Sequence, residues 1–448
     1  MRFYSITFII LLFVGSVSYA TPGSGEWENL FNGKDLSGWK QLNGKAKYEV
    51  VNGEIVGTTV ANTPNSFLAT EKDYGDFVLE LELLVDDNMN SGIQFRSEST
   101  PEYNNGRVHG YQCEVDPSPR AWSAGIYDEA RRGWLYPCTY NPEGGKAFKN
   151  GEWNKYRIEC IGPNIRTWLN GVPVAYLIDD MTPKGFIALQ VHAIGKDGIP
   201  GSQIRWRNIR IKTKNLKPSP MDNIFVVNLI PNNLSETEKK EGWELLFDGE
   251  TTKGWKSANS DKFPATGWEV KDGVLSVLAH HKDSLARGGD IVTTEKFKAF
   301  SLQFEFRLTE GANSGVKYEI GNNGPSIGLE YQILADTHAD ATKGVVGNRT
   351  IASLYDLIPS EKNGRFIRKV GEWNQGRIIV YPDNRVEHWL NGMKVVEYVR
   401  GNNIYKALVA RSKYAGYKDF GMVEETPVLL QDHCDNVSFR SIKIKKLD

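Results

Sequence analysis

Apolar and polar residues alternate with a period of two along most of this chain. In FVLELELL, which begins at Phe77, and in FSLQFEFR, which begins at Phe300, Phe and Leu recur at every second position. Successive side chains of a β-strand point to opposite faces, so each segment predicts a strand with one buried face. Asn-Gly and Asp-Gly pairs between such runs predict hairpin turns. Since sustained helical periodicity is scarce, the pattern predicts an all-β sandwich or jelly roll.

The same segments occur twice, in the same order. WENLFNGKDLSGWK at Trp27 returns as WELLFDGETTKGWK at Trp243, and NSGIQFR at Asn90 returns as NSGVKYE at Asn313. GEWNKYRIE, TWLNGVPV and LQVHA of the first half match GEWNQGRII, HWLNGMKV and LQDHC of the second. The period is too long for a solenoid, so we predict two homologous domains in tandem. The predicted parts are a leader at 1–20, a first jelly-roll domain at 21–214, a linker at 215–232 and a second jelly-roll domain at 233–448.

The first twenty residues have the pattern of a signal peptide. Arg2 precedes the apolar run ITFIILLFVG, and Ser18 and Ala20 occupy the small-residue positions of a cleavage site. The run is too short for a spanning helix, and no cysteine follows it that would indicate a lipid anchor. We therefore expect cleavage after Ala20, a periplasmic or secreted chain, and no membrane span in the mature chain.

Charge and cysteine content add little to this picture. The 54 Lys and Arg residues nearly balance 55 Asp and Glu residues, which gives no support to a nucleic acid partner. The four cysteines have neither CxxC nor metal-ligand spacing. Cys113 is expected to be a buried thiol, and a disulfide from Cys113 to Cys138 or to Cys160 is the alternative in an oxidising compartment.

The polar faces of several strands carry amides, carboxylates and imidazoles but few lysines. In GYQCEVD, Gln112, Glu114 and Asp116 share one face of the predicted strand. Corresponding positions in neighbouring strands are Gln94, Arg96, Gln190 and His192 in the first domain, and Glu330, Gln332, Gln431 and His433 in the second. Such groups donate to and accept from hydroxyls, so we predict a concave cleft for a hydroxyl-rich ligand. A merely solvated sheet face is the alternative.

Two further features of the first domain carry candidate chemistry. Two residues along a strand span roughly 6.6–7 Å, so Glu114 and Asp116 could flank one reacting bond. The segment AGIYDEARRGWLYP, residues 124–137, is interpreted as a loop that forms a lid or rim. Its arginines could hold an oxyanion, and Trp134 could stack on a sugar ring. An exposed ion-pair loop is the alternative.

These motifs resemble a known family. The motifs that carry the similarity are LFNGKDLSGWK, NSGIQFR, GEWNKYRIE, HWLNG, and LQVHA followed by WRNIRIK. Through them the chain is similar to the 3-keto-disaccharide hydrolase domain family, once per copy and over nearly the whole mature chain. The resemblance implies a concanavalin A-like β-jelly roll and action on glycosides whose C3 hydroxyl has been oxidised to a ketone. The first copy has Thr167 where the second has His388, and Glu114 where the second has Gln332. One copy is therefore expected to have lost activity or to prefer another ligand.

The resemblance motivates a hypothesis for the reaction. A C3 ketone acidifies the C2–H bond, so a base can remove that proton and the C1–O bond can break by β-elimination, with water adding afterwards. Proton transfer is assigned to His192 or Glu114, with Asp116 as a further catalytic candidate. Arg96, Arg132 or a divalent metal ion would stabilise the enolate, although no cofactor is certain. The predicted substrate-binding residues are Gln94, Arg96, His109, Gln112, Tyr127, Arg132, Trp134 and Gln190. The counterpart residues in the second domain are Glu330, Gln332, Tyr355, His388, Gln431 and His433.

Two other functions fit the same residues. A non-catalytic carbohydrate-binding protein on this fold would use the Gln-lined cleft and the aromatic residues, since fold alone does not determine function. A retaining glucanase would use Glu114 and Asp116 and would cleave glycans that carry no ketone. All three functions take an oligosaccharide or glycoside as the partner.

Overall fold

A computed structural model describes residues 26–86, 89–281, 287–362 and 366–447. The predicted signal peptide lies outside the described residues. Within them the chain forms two concanavalin A-like jelly rolls in tandem, each a sandwich of two largely antiparallel sheets. No helix in the described ranges has the length and apolar character that a membrane crossing needs.

The first domain is built from fifteen strands, one further strand from the expected linker and one short helix. These are β1 (Trp27–Asn29), β2 (Trp39–Asn43), β3 (Lys47–Val51), β4 (Glu54–Thr58), β5 (Ser66–Thr70), β6 (Phe77–Val85), β7 (Ser91–Ser97), β8 (Gly110–Val115), β9 (Ile126–Glu129), β10 (Gly133–Tyr136), α1 (Pro142–Gly145), β11 (Asn154–Ile161), β12 (Asn164–Leu169), β13 (Val172–Ile178), β14 (Phe186–Val191), β15 (Gln203–Lys212) and β16 (Val226–Asn228). The larger sheet has the order β16-β13-β12-β11-β6-β15-β4-β3, with β1 paired to β15, and the smaller has the order β10-β9-β8-β7-β14-β5-β2.

The second domain repeats this plan. Its elements are α2 (Glu236–Lys240), β17 (Trp243–Leu245), β18 (Trp255–Ser257), β19 (Trp268–Lys271), β20 (Val274–Val277), β21 (Ile291–Thr293), β22 (Phe300–Leu308), β23 (Asn313–Tyr318), β24 (Leu329–Leu334), β25 (Trp373–Val380), β26 (Arg385–Leu390), β27 (Met393–Val399), α3 (Asn403–Ala410), β28 (Leu429–Leu430) and β29 (Val437–Lys446). The larger sheet has the order β19-β20-β29-β22-β25-β26-β27, with β17 paired to β29, and the smaller has the order β18-β21-β28-β23-β24.

The alternation of the sequence places the cores. Phe77, Leu79, Leu81 and Leu83 of β6 are buried between the sheets of the first domain, as the period of two predicts. Cys113, Cys138 and Cys160 are buried there as thiols, so the disulfide alternatives for Cys113 are not formed. The residues between the core positions of β8 point away from the core, and this outward face of the smaller sheet carries the candidate site.

The segment at residues 124–137 is not a loop, as was expected, but a β-hairpin. β9 and β10 pair antiparallel and extend the smaller sheet beyond β8. The turn between them is tight because Ala130 and Gly133 both adopt left-handed backbone conformations, with φ of 53° and 72°. The hairpin therefore brings paired strand residues to the edge of the polar face, where they form a rim.

The two domains pack against each other beside this hairpin. Arg368 donates through Nη2 to the carbonyl of Trp134 at 2.7 Å, and the hydroxyl of Thr139 donates to the carbonyl of Gly392 at 2.5 Å. Aromatic contacts across the interface join Trp122 with Phe366, Tyr140 with Trp389, and Phe225 with the guanidinium of Arg377. β16, in the expected linker, pairs parallel with β13 of the first domain.

Candidate functional site

The outward face of the smaller sheet in the first domain borders a hydrophilic cavity of about 430 Å³. Strands β8 and β14 form its floor, and the β9–β10 hairpin forms one wall. The residues that line it are Asn65, Asn90, Arg107, Gln112, Glu114, Arg120, Tyr127, Glu129, Ala130, Trp134, Gln190 and His192. The structure thus brings together six of the predicted site residues: Gln112, Glu114, Tyr127, Trp134, Gln190 and His192.

Glu114 is the buried carboxylate on the floor of this cavity, with 4% of its surface exposed. Asn90 donates through Nδ2 to Oε1 at 2.6 Å, and Gln112 donates through Nε2 to Oε2 at 3.1 Å. Burial raises the pKa of Glu114 from 4.5 to about 7, although both amide hydrogen bonds favour the charged form. A carboxyl group with this pKa exchanges protons near neutral pH, which suits a general base.

Three glutamine side chains form a connected row beside Glu114. The Oε1 atom of Gln112 accepts from Gln94 at 2.5 Å and from Gln190 at 3.1 Å. Ser97 donates to Gln94 behind this row, so Gln94 supports Gln112 from outside the cavity lining. The Oε1 atom of Gln190 is buried and has no hydrogen-bond partner within the protein. An unpaired buried acceptor that borders a cavity is suited to a ligand hydroxyl, because leaving it unpaired costs free energy.

Cations and aromatic rings form the rest of the wall. Arg107 donates through Nη2 to Glu129 at 2.7 Å. Arg120 lies over the ring of Trp134 at 5.2 Å and donates through Nε to Asp116 at 2.7 Å. His192 is exposed at the rim, where its Nδ1 lies 2.7 Å from the carbonyl of Ala193. The site therefore combines one perturbed carboxyl group with two guanidinium groups and an exposed imidazole.

Besides Gln94, four predicted site residues lie outside this cavity. Asp116 is buried in its ion pair with Arg120 and does not reach the lining. His109 stacks on Tyr103 with ring centres 3.8 Å apart. Arg132 is held by Asp128 and Asp179, next to a separate cavity between the two domains.

Arg96 is the fourth, and its position has a backbone cause. It adopts φ of 44°, which interrupts the alternation of β7. The guanidinium is 1% exposed and donates to Asp76 at 2.9 Å and to the carbonyls of Gly75 and Gly162. Arg96 thus joins the end of the smaller sheet to the other sheet and does not face the polar cavity.

The second domain places related groups at equivalent positions. β23 and β24 pair Gly315 with Gln332, as β7 and β8 pair Gly92 with Glu114. Gln332 donates through Nε2 to Asn313 at 3.2 Å, so an amide stands where the first domain has its perturbed carboxyl group.

The carboxyl group of this face lies two residues earlier along the strand. Glu330 occupies the position of Gln112, and Lys317 lies 3.7 Å from it. Burial raises the pKa of Glu330, and the nearby Lys317 and Lys413 oppose that rise. The Oε1 atom of Gln431, the equivalent of Gln190, is again buried without a partner.

Three more predicted residues of the second domain have distinct surroundings. Tyr355 donates to Asp340 at 2.7 Å, and the ammonium of Lys413 lies 4.1 Å from the centre of its ring. The Nε2 atom of His433 lies 3.5 Å from the amide of Asn313. His388 does not lie on the polar face at all, because it points into the core. There it contacts Tyr318 at 2.7 Å, and burial lowers its pKa to about 4.

Six lining residues are not among the predicted site residues: Asn65, Asn90, Arg107 and Arg120, together with Glu129 and Ala130 of the segment interpreted as a lid or rim. Asn90 had a usable signal, since Asn90 and Asn313 open the repeated NSG motif in both copies. Arg107 and Arg120 lie in the connections before and after β8. The alternation of a strand does not predict where side chains in such connections point.

The donor set of the cavity does not fit a divalent metal ion. Both oxygens of Glu114 accept amide hydrogen bonds, and Oε1 of Glu129 accepts from Arg107 and Asn65. Arg107 and Arg120 also place positive charge in the lining, where a cation would be repelled.

Comparison with known proteins identifies one sequence family and several related structures. The family model described as a 3-keto-alpha-glucoside-1,2-lyase-like domain matches residues 26–212 and again residues 242–445. The 3-keto-disaccharide hydrolase of Bacteroides thetaiotaomicron is 31% identical over 262 residues, which cover 53% of this chain and 86% of that protein.

The chain is also similar to two solved structures from Parabacteroides distasonis, whose names describe them as glycosyl hydrolases by assignment only. One is 29% identical with a TM-score of 0.42, and it covers 49% of this chain and 100% of its own. The other is 24% identical with a TM-score of 0.35, and it covers 46% of this chain and 99% of its own.

Proposed function

Because both of its domains belong to the 3-keto-alpha-glucoside-1,2-lyase-like family, the chain is a carbohydrate-active protein of glycoside hydrolase type, and we propose that its first domain cleaves 3-keto-glycosides with Glu114 as the base. The observation that carries the proposal is the carboxyl group of Glu114, which lies buried at the floor of a hydrophilic cavity and whose pKa burial raises to about 7. We further propose that the chain acts outside the cytoplasm, in keeping with its apolar leader.

The proposed reaction begins at C2 of the oxidised sugar. Glu114 takes the C2 proton, and the electron pair of the C–H bond moves into the enolate of the C3 ketone. The enolate then expels the C1 substituent, whose oxygen keeps the C1–O bonding pair, and an α,β-unsaturated ketone remains. Protonated Glu114 returns its proton to the leaving oxygen. Addition of water at C1 completes a net hydrolysis.

The remaining lining residues supply binding and charge. Arg107 and Arg120 are the cations of the cavity, so they replace Arg96 and Arg132 as candidates to stabilise the enolate oxygen. Gln112 and Gln190 present amide groups to sugar hydroxyls, while the largely buried Trp134 supports the wall through its contacts with Trp122 and Tyr127. His192 is exposed at the rim, away from the buried floor, so we assign it to substrate binding in this proposal.

A second candidate function applies to the second domain alone. Gln332 cannot act as a base, and Glu330 is held by Lys317. The same face keeps an unpaired acceptor at Gln431. These observations favour a non-catalytic carbohydrate-binding role for this domain.

Proton exchange at C2 tests the proposal directly. The wild-type chain is incubated with a 3-keto-glucoside in deuterium oxide, and deuterium at C2 and released aglycone are measured by NMR. We expect Glu114→Gln to lower both rates by roughly 10²- to 10⁴-fold, the usual contribution of a general base. Gln332→Ala, at the equivalent position of the second domain, is the matched control and should leave both rates unchanged.

Each alternative predicts another result. A purely sugar-binding chain would incorporate no deuterium even as wild type. A retaining glucanase would cleave the unoxidised glycoside and would lose activity in Asp116→Asn. Retention of exchange in Glu114→Gln, with loss in His192→Ala, would move the base to His192.

A further inference from the structure

Three side chains of types that bind metal ions lie together in the second domain, away from the cavity in which we place the reaction. One nitrogen of His280, a carboxylate oxygen of Asp432 and the sulfur of Cys434 lie within 4.8 Å of one another. We propose that these residues bind Zn²⁺, with water as the fourth ligand. Zn²⁺ takes this mixture of nitrogen, oxygen and sulfur ligands in tetrahedral geometry.

The orientation of His280 is the first argument. Its Nδ1 lies 2.7 Å from the carbonyl of Leu278. A carbonyl can only accept, so Nδ1 carries the hydrogen and donates it. In the neutral ring the lone pair of Nε2 then faces Asp432, whose Oδ1 is 3.6 Å away. Metal-bound histidines commonly have this second hydrogen bond to a backbone carbonyl, because it fixes the tautomer.

Burial is the second and independent argument. The side chain of His280 is 5% exposed, that of Asp432 is 0% exposed, and the Nε2 atom of His280 has no hydrogen-bond partner. A lone pair and a carboxylate that face each other in a buried place repel, unless a positive charge lies between them. The two atoms, Nε2 of His280 and Oδ1 of Asp432, are 3.6 Å apart. Two ligand atoms of a tetrahedral Zn²⁺ ion have about this separation when each lies about 2.0–2.2 Å from the metal.

The backbone around Asp432 orients the remaining ligands. Gly289 donates its N–H to Oδ2 at 2.8 Å, and Cys434 donates its N–H to Oδ1 at 3.0 Å. The carboxylate is thus fixed toward His280, and Cys434 follows in a tight turn. When Zn²⁺ binds, the thiol of Cys434 loses its proton to solvent, so binding weakens at low pH.

The first domain provides an internal comparison. By alignment of the paired strands, Val60, Val191 and Ala193 occupy the positions of His280, Asp432 and Cys434. All three ligand positions are therefore apolar in one copy and metal-ligating in the other. The site is a property of the second domain alone, and it does not depend on the reaction proposed for the first.

Metal titration of the whole mature chain tests this site. The reduced, chelator-treated protein is titrated with Zn²⁺ against a chromophoric competitor, and with Co²⁺ as a spectroscopic probe. We expect one tight equivalent of Zn²⁺ and a thiolate-to-cobalt charge-transfer band. His280→Val and Cys434→Ala should each lower Zn²⁺ affinity by at least about 100-fold, more than the loss of an outer-shell partner costs. His281→Ala, which changes the adjacent exposed histidine, should bind as wild type does.

Folding is monitored separately by thermal unfolding without metal. Cys434→Ala introduces the residue that the first domain already has, so it should remain folded, and Cys434→Ser is the second, more conservative variant. Zn²⁺ should raise the unfolding temperature of the wild type but of neither variant. Absence of a tight equivalent, absence of the thiolate band, or unchanged affinity in folded Cys434→Ala would each overturn the proposal.

Discussion

Glu114 and Gln332 occupy the same place in two copies of one fold, and the difference between them is a proton-exchanging group. Both side chains share their strand position and an asparagine neighbour. In the first domain Asn90 donates to the carboxylate. In the second, Asn313 accepts from the amide. A change from Glu to Gln at this position therefore needs only a rotated asparagine amide to restore the hydrogen bonds.

A similar exchange of charge occurs four residues beyond Gly92 and Gly315, which are the partners of Glu114 and Gln332. Arg96 of the first domain is bound to Asp76, and its equivalent Glu319 is bound to Arg400. Both residues have positive φ, at 44° and 55°. Burial raises the pKa of Glu319 to about 8, with Arg400 opposing the rise. Each domain thus has an ion pair at this position, but the strand residue is the cation in the first domain and the carboxylate in the second.

Replacement of Glu114 by Gln should stabilise the first domain at high pH. The pKa of Glu114 is higher in the folded chain, at about 7, than its ordinary value of 4.5. Between these two pH values Glu114 is protonated in the folded chain but ionised in the unfolded chain. Its contribution to the free energy of unfolding is therefore fully present below about pH 4.5 and is lost as pH rises through about 7. The amide is neutral throughout, so we expect Glu114→Gln to raise the free energy of unfolding by about 2–3 kcal/mol near pH 8 and to change it little near pH 4.

Denaturant unfolding at the two pH values measures this difference. Gln332→Glu is the reciprocal variant in the second domain, and it should be destabilising near pH 8 for the same reason. An effect of Glu114→Gln that is equal at both pH values would show that the carboxyl group is not perturbed by burial.

At the scale of elements, the floor of the cavity depends on the close pairing of β7 with β8. Gly92 leaves space that the side chain of Gln112 fills: a Cβ atom at Gly92 would lie 2.4 Å from the Cδ atom of Gln112. Gly315 has the same relation to Glu330, whose Oε1 would lie 2.6 Å from the added Cβ. These distances are too short for real contacts, so an added methyl group must displace the neighbouring side chain.

Gly92→Ala should therefore lower activity without changing any group that contacts the reacting atoms. Displacement of Gln112 removes one of the two amide donors to Glu114 and breaks the row with Gln94 and Gln190. We expect kcat/KM to fall by roughly tenfold, which corresponds to about 1.4 kcal/mol. Gly315→Ala makes the matched change in the second domain. If it lowers activity as much as Gly92→Ala does, the active cavity is not confined to the first domain.

The two copies differ most between their equivalent strands β13–β14 and β27–β28. Residues 179–185 make this connection in the first domain, while residues 400–428, including α3, make it in the second. The longer segment brings Lys413 to Tyr355 and influences the charge of Glu330. The polar face of the second domain is therefore surrounded by different groups.

Alternation predicted the strands and the direction of most side chains, because one buried face fixes the register of each strand. It placed Gln112, Glu114, Gln190 and the core positions of β6 correctly. It misplaced Arg96, since a left-handed residue within β7 reverses the direction that the period implies. The hairpin at residues 124–137 was missed because its charged residues resemble a loop. Arg107 and Arg120 reach the cavity from connections whose paths depend on tertiary packing.

At the scale of the whole molecule, the second domain contacts the wall of the first domain's cavity. Trp134 lines that cavity and also a cavity of about 580 Å³ between the domains. Arg368 holds the carbonyl of Trp134, and Phe366 packs on Trp122, whose ring lies 4.6 Å from that of Trp134. The position of this wall is thus set by residues from both copies.

Arg368→Ala should loosen the wall and weaken the contact between the domains. The carbonyl of Trp134 would lose its charged donor, and we expect the free energy of unfolding to fall by about 1–3 kcal/mol. Differential scanning calorimetry should show a wider separation of the two domain transitions, and KM for the keto-glycoside should rise. Lys369→Ala, at the exposed neighbouring residue, is the control. An unchanged calorimetric profile in Arg368→Ala would contradict a supporting role for this contact.

The shared wall has a consequence for the history of the duplication. Substitutions such as Glu to Gln can remove the chemistry of one copy without affecting its neighbour. Deletion of that copy is different, because it would also remove Phe366 and Arg368 from the tryptophan pair of the other. Selection for the reaction of one copy would therefore preserve its partner as a support, even after the partner had ceased to react with any sugar.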